Sequence, residues 1–292
     1  MKKIEIPEAE NLGRGHLACA GCGAAVGMRL VLKALGEKMV MVIPASCWSI
    51  IPGQWPYSSL KIPHVHAGFV TGGATASGIR AALDIRGDRE TLVVVWAGDG
   101  GTFDIGIQSL SGAAERNEDI LYICNDNEAY MNTGTQRSAA TPFLAWTTTT
   151  PVQRPKENPK KDIVAIMADH RIPYAATATP AYAEDLFKKL EKAKRIRGTR
   201  FLHLLSPCPP GWKFSSEHTV RISRLAVRSR VFPLYEVENG TSYSLYEEPR
   251  TVPVKEYLRI QGRFSHLNDR EIEIIQERVD QEWQRLLKRA CC

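Results

Sequence analysis

No apolar stretch in the sequence approaches the ~18 residues that a membrane-crossing helix needs. The N-terminus, MKKIEIPEAENLGRGH, carries two lysines without the apolar segment of a secretion signal. A cytoplasmic protein without a membrane contact is the expectation. A nicotinamide-binding GxGxxG is absent, which removes the main support for a dehydrogenase of that type. There is no internal repeat, and low complexity is confined to the four threonines 147–150. Charge of one sign is in only slight excess, 38 Lys and Arg against 32 Asp and Glu, and the basic residues are scattered. That pattern argues against nucleic-acid binding and permits docking on an acidic protein. Cysteine is odd in number, seven, which argues against a disulfide framework and for metal-binding or inert thiols.

With 292 residues, 43% of them hydrophobic, the chain can bury a substantial core. Residues 26–36, VGMRLVLKALG, have helical spacing and end on Gly36, a natural cap. MVMVIPA (39–45) reads as a strand buried on both faces, with Cys47 just beyond its C-terminal end. A small-residue helix (70–83), a buried strand that breaks into a glycine turn (91–101), a helix (104–116) and a third strand (120–127) follow. This alternation predicts an α/β fold, a doubly wound and mainly parallel sheet whose ligands sit at the C-terminal ends of the strands.

From 133 to 163 the chain turns polar and rich in Thr, Pro and Lys, which predicts a surface excursion covering a site or a partner. Helical spacing returns at 163–170 and 181–197, and the strand RFLHLLSPC (200–208) closes the α/β pattern near Pro209. Apolar periodicity then weakens until a charged helix at 270–290. The expected organisation is an α/β domain over 1–212 and a subunit-contacting, helical C-terminal extension over 213–292.

Cys19-Ala-Gly-Cys22 is a CxxC, compatible with a redox dithiol, half a zinc site or part of an iron–sulfur site. The loop-like GRGHLA before it is not the strand that a thioredoxin motif requires. Cys47 and Cys208 each follow a core strand, so folding can bring both to one sheet edge beside the pair. Four thiolates suit a tetrahedral sulfur site, and spacing alone does not separate zinc from [4Fe–4S]. Cys124 lies mid-strand and reads as core, and Cys291 and Cys292 end the chain.

Gly98-Asp99-Gly100-Gly101 follows a strand and precedes a helix, so its N–H groups can face a diphosphate. The end of the next strand, Asn125-Asp126-Asn127-Glu128-Ala129-Tyr130-Met131-Asn132-Thr133, offers oxygen donors of the kind that the octahedral shell of Mg²⁺ demands. The pair resembles the thiamine diphosphate motif, in which GDG opens and an Asn-containing element closes.

Taken together, GHLACAGCG, Cys47, WAGDGGTFDIGIQSLSGAAER, YICNDNEAYMNTGTQRSAATP and SPCPPGW resemble the beta subunit of pyruvate and related 2-oxoacid:ferredoxin oxidoreductases. The resemblance implies a thiamine diphosphate-binding fold with three cofactors: thiamine diphosphate, Mg²⁺ and one [4Fe–4S] cluster on Cys19, Cys22, Cys47 and Cys208. It further implies Asp99, Asn127 and the Ala129 carbonyl as Mg²⁺ ligands, with Gly98, Gly100 and Gly101 cradling the diphosphate. Thr133 would bond the diphosphate, and Asn132 and Cys47 would lie near the reacting carbon. The implied reaction is oxidative decarboxylation of a 2-oxoacid, pyruvate first, with electrons passing to ferredoxin and the acyl group to coenzyme A.

An activating glutamate is expected from an alpha subunit, and coenzyme A handling and two further clusters from gamma and delta subunits or domains. This chain has no second CxxCxxC run to hold such clusters. Trp48 and the stretch SIIPGQWPYSS depart from many relatives. They leave the substrate open among pyruvate, oxalate, branched-chain or aryl 2-oxoacids and 2-oxoglutarate, with Trp48, Trp55 and His66 as candidate pocket residues. A non-catalytic subunit stapled by zinc is the alternative of another class.

Overall fold

The computed structural model describes residues 6–54, 56–246 and 250–291. Four apolar runs form the middle of one sheet: Met39–Pro44 (β1), Leu92–Gly98 (β3), Leu121–Asp126 (β4) and Arg200–Leu205 (β6). Every residue of β4 and β6 is buried, as parallel strands covered on both sides require. His64–Ala67 (β2) adds to one edge and Tyr174–Ala178 (β5) pairs with β6. Tyr235–Glu238 (β7) and Ser242–Leu245 (β8) continue the sheet antiparallel beyond β5. The order is β2-β1-β3-β4-β6-β5-β7-β8.

Two apolar layers cover this sheet. On one face lie α1 (Gly23–Leu35) and α5 (Ala183–Arg195), with Met28, Val31, Leu186 and Leu190 packed on Trp96, Ile123 and Leu202. On the other lie α2 (Gly72–Ile85), α3 (Ile107–Glu115) and α4 (Ile163–Asp169), with Ala76, Leu110 and Met167 against Val95, Tyr122 and Phe201. The chain runs from β1 out to edge strand β2 and then returns to β3 on the other side of β1. The crevice at the C-terminal ends of β1 and β3 is therefore a switch point, where ligands bind in such sheets.

On the second face, α2 and α3 touch backbone to backbone. A Cβ on Gly73 would lie 2.3 Å from the Ser109 carbonyl oxygen. Gly73→Ala is expected to force the helices apart and destabilise the protein by about 1–3 kcal/mol. A denaturant midpoint equal to that of the native protein would show that the helices separate freely.

The expected end of the α/β pattern near Pro209 is corrected by β7 and β8. Both are short and polar on alternate positions, so they lack the continuous apolar run that marks an interior strand. β2 (HVHA) and β5 (YAATA) escape the sequence reading for a related reason, since neither is β-branched throughout. From Pro209 on, α6 (Pro209–Trp212), α7 (Thr219–Arg228), α8 (Val254–Arg259) and α9 (Asp269–Ala290), with the turn Gly262–Phe264, build a third apolar cluster that includes Trp212, Ile222, Ala226, Tyr257 and Phe264. Trp283 and Leu286 of α9 pack back on the sheet. Among the described residues, no helix is long and apolar enough to cross a membrane.

The polar stretch 133–163 is not purely a surface excursion. Ser138, Ala140, Thr141, Ala145, Thr147 and Lys156 are buried. Short hydroxyl side chains make that burial possible by answering the backbone: Ser138 N–H donates to Thr141 Oγ1 at 3.0 Å, and Thr150 N–H to Thr147 Oγ1 at 3.1 Å. The Lys156 ammonium donates to the carbonyls of Thr141, Asn158 and Pro159.

Candidate functional site

The turn after β1 is a tight one, Cys47–Ser49, capped by Ser46 through reciprocal hydrogen bonds. Trp48 is driven into the core, fully buried, and meets Trp96 edge to face at 5.6 Å. That anchor leaves Cys47 half-buried at the end of the sheet. Cys208 follows β6 at the same end, and Cys22 caps α1. The segments are stitched by backbone: Gly23 N–H donates to Pro207 O at 3.1 Å, and Thr219 Oγ1 donates to Gly21 O at 2.5 Å. Gly21, at φ +69, has no room for a side chain, since a Cβ there would lie 2.3 Å from Ser216 O.

Burial first, and then Cys22 and Cys19, pushes the Cys47 thiol up to about 11. Burial likewise raises Cys208 to about 12 against the pull of the Gly211 N–H, with Cys22, Cys47 and Cys19 adding to the rise. Burial also raises Cys22. Burial is the largest cause in each case, and neighbouring thiols add to the rise at Cys47 and Cys208. Among the described residues, no three His, Cys, Asp or Glu side chains already stand in a metal-holding group. Cys124 is sealed in the opposite core layer, Cys291 is exposed, and Cys292 lies outside the described residues.

β3 ends at Gly98, and the chain passes through Asp99 into a π-type turn, Gly100–Asp104, before α3. A Cβ added to Gly98 would lie 3.5 Å from Ser46 Cβ, so this turn abuts the Cys47 turn. A Cβ on Gly100 would come within 2.3 Å of the Tyr130 ring. Tyr130 itself is fixed, stacked on Phe69 and donating to Asp104 Oδ2 at 2.9 Å.

Asp99 is buried, and the Ser138 hydroxyl donates to its Oδ2 at 2.5 Å. Burial, followed by the neighbouring Asp126, holds its carboxyl well above the usual range. One terminal atom of the Asn127 amide lies 3.0 Å from Asp99 Oδ1 and 2.8 Å from the Ala129 carbonyl oxygen. With nitrogen inward it donates to both. With oxygen inward, three oxygens converge in a buried space, an arrangement that a cation, or a proton on Asp99, stabilises. Asp99, Asn127 and Ala129 therefore fit the donor set of a hard cation. Asn132 and Thr133 are exposed, and the Thr133 hydroxyl donates to Gln136 Oε1 at 2.5 Å.

A charged group behind this loop was not legible in the sequence. Asp126, fully buried, is ion-paired with Lys160 and lies 2.7 Å from His203 Nε2. Burial would raise its pKa, but Lys160 and His203 hold it low. Glu128 bridges Lys160 at 2.9 Å and buried Arg263 at 2.6 Å. Trp212 Nε1–H donates to the Asn127 carbonyl at 2.8 Å. Of the pocket candidates, Trp48 belongs to the core and His66 is exposed on β2, while Trp55 lies outside the described residues.

The family described as thiamine pyrophosphate enzyme, C-terminal TPP binding domain, matches residues 47–204. The chain is 49% identical over 299 residues to ketoisovalerate oxidoreductase subunit VorB of Pyrococcus abyssi, across 99% of this chain and 96% of that protein. It is 46% identical over 289 residues to pyruvate synthase subunit PorB of Methanocaldococcus jannaschii, across 96% of this chain and 97% of that one. It belongs to the beta subunits of the 2-oxoacid:ferredoxin oxidoreductases.

The sheet of this beta subunit is shared with 2-oxoglutarate:ferredoxin oxidoreductase of Magnetococcus marinus, at a TM-score of 0.58 and 21% identity over 74% of this chain and 83% of that one. The match bears on fold alone. As a beta subunit it is one component of a multi-subunit oxidoreductase. The thiamine pyrophosphate match begins at Cys47 and ends at Leu204, so it includes the glycine turn and the 127–129 donors and leaves Cys19, Cys22 and Cys208 outside.

Proposed function

We propose that this beta subunit supports oxidative decarboxylation of a 2-oxoacid, with thiamine diphosphate held through Mg²⁺ and a [4Fe–4S] cluster as first electron acceptor. Asp99, Asn127 and the Ala129 carbonyl bind Mg²⁺, and Gly98, Gly100 and Gly101 receive the diphosphate. Thr133 and Asn132 reach the cofactor once their exposed loop closes on it, and Cys19, Cys22, Cys47 and Cys208 bind the cluster. The observation that supports the reading is the closeness of the two turns, a Cβ on Gly98 falling 3.5 Å from Ser46 Cβ, which is what a diphosphate cradle next to the Cys47 turn would require. Thiamine diphosphate supplies the carbanion-stabilising chemistry that no side chain offers. The protein's part is to orient it, bury its charged end and keep the electron acceptor close.

An alpha subunit supplies the activating glutamate and part of the substrate pocket in this reading. Gamma and delta subunits or domains handle coenzyme A and carry two further clusters toward ferredoxin, in the cytoplasm. Support for the substrate class comes from relatives named for ketoisovalerate and for pyruvate. Identities of 49% and 46% do not separate those two. The purified complex, assayed with a viologen acceptor against a panel of 2-oxoacids with and without coenzyme A, is expected to reduce the acceptor with pyruvate or 2-oxoisovalerate. A complex that contains no thiamine diphosphate and reduces nothing would favour the zinc-stapled scaffold.

A further inference from the structure

Glu128 stands between two proposed cation ligands at φ +63, a left-handed backbone conformation disfavoured for any residue with a Cβ. Such a conformation persists where its surroundings over-determine it. Here Glu128 N–H donates to Asp126 Oδ1 at 2.8 Å and Lys160 donates to Glu128 Oε1 at 2.9 Å, and the segment after Cys208 adds contacts of its own. The Trp212 indole N–H donates to the Asn127 carbonyl at 2.8 Å. Arg263 lies 3.8 Å over the Trp212 ring and donates to Glu128 Oε2 at 2.6 Å. The Thr141 hydroxyl adds a bond to the Glu128 carbonyl at 2.7 Å.

Trp212 is also the closing residue of the turn that carries Cys208, since its own N–H donates to Cys208 O at 2.8 Å. The same turn touches the cation loop a second time. A Cβ on Gly211 would lie 2.2 Å from Met131 Sδ and 3.5 Å from Cys208 Sγ, so Met131 occupies the space beside the thiol. One short turn therefore bonds to the loop at Asn127 and packs against it at Met131.

We infer that Trp212 is a positioning residue that couples the two sites, its indole holding the 127–129 loop while its backbone closes the Cys208 turn. Filling the thiol site then tightens the diphosphate site, and by linkage the reverse holds equally. The inference rests on the cofactor reading above. The four-thiol site fixes Cys208 once metal is bound, and this fixes the indole that holds Asn127.

The test is calorimetric affinity of the intact complex for thiamine diphosphate with Mg²⁺, measured with the thiol-bound metal present and after its removal by a chelator. The native complex is expected to lose ~10-fold in affinity on metal removal, within the usual range of such couplings. Trp212→Phe keeps a ring under Arg263 and deletes the N–H. It is expected to weaken binding ~3–10-fold, the worth of one hydrogen bond, and to shrink the dependence on thiol-bound metal to under ~2-fold.

Equal affinities in the native complex with and without that metal would overturn the coupling. So would the same dependence in Trp212→Phe as in the native complex. A native complex that binds no thiamine diphosphate in either state would instead bring down the cofactor reading, and this inference with it. If Trp212→Phe fails to assemble, the affinity of the native complex with and without thiol-bound metal still decides whether the two sites are coupled.

Discussion

Asp99→Ala is expected to abolish Mg²⁺-dependent binding of thiamine diphosphate. The loss should exceed the ~10–100-fold that follows removal of a residue merely supporting a metal ligand. The reason is the arrangement around Asp99 Oδ1: one atom of the Asn127 amide lies 3.0 Å from it and 2.8 Å from the Ala129 carbonyl oxygen, and no second carboxylate takes the place of Asp99. The nearest alternative, Asp126, is already committed to Lys160 and His203.

Thermal unfolding separates this loss from simple misfolding. In the native protein, ligand at ~100 times its dissociation constant adds ~2.7 kcal/mol of stability. Asp99→Ala should fold without Mg²⁺ at least as stably as the native chain, because it removes a buried carboxylate lying close to Asp126. The rise on adding Mg²⁺ and thiamine diphosphate should vanish. Calorimetric affinity equal to that of the native complex would remove Asp99 from the cation site.

On the cluster proposal, Cys47→Ala is expected to abolish a cluster at these cysteines, and with it electron transfer to a viologen or ferredoxin. Iron and acid-labile sulfide should fall by the equivalent of one cluster, and the corresponding low-temperature EPR signal should disappear. Cys19→Ala should behave alike, although Cys19 is exposed and Cys47 half-buried, because a cuboidal cluster needs all four sulfurs. Thiamine diphosphate should still bind to these variants, weakened by no more than the coupling through Trp212, since the 127–129 loop keeps Lys160, Thr141 and Arg263. Stoichiometric zinc without iron in anaerobically prepared native complex would sink the cluster assignment.

The strands that deliver the site were legible because each is a continuous apolar run that stops abruptly. MVMVI before Cys47, LVVVWAG before Asp99, LYICND before Asn127 and RFLHLL before Cys208 are buried on both faces, and that requirement leaves a plain pattern in composition. The residues that hold the loops from behind left none. Ser138 and Lys160 come from a stretch whose polarity resembles that of a surface loop, yet Ser138 is buried and bonds Asp99 while Lys160 neutralises Asp126.

Arg263 and Trp212 act on residues far away in the chain, by one ion pair and one indole hydrogen bond. Spacing carries no information about such pairs. β5 was missed because YAATA, although fully buried, is built largely of alanine, which marks helix as readily as strand.

The position of β6 between β4 and β5 has a consequence for biosynthesis. Three of the four thiols leave the ribosome within the first 47 residues, while the fourth is residue 208. A chain released progressively from its N-terminus can form α1 and β1 early, but the place for Cys208 exists only after β6 has inserted beside β4. On the proposed four-cysteine cluster, Cys19, Cys22 and Cys47 would wait for Cys208 through most of translation, so metal loading would be a late step and yield is expected to depend on thiol protection during synthesis as much as on iron supply.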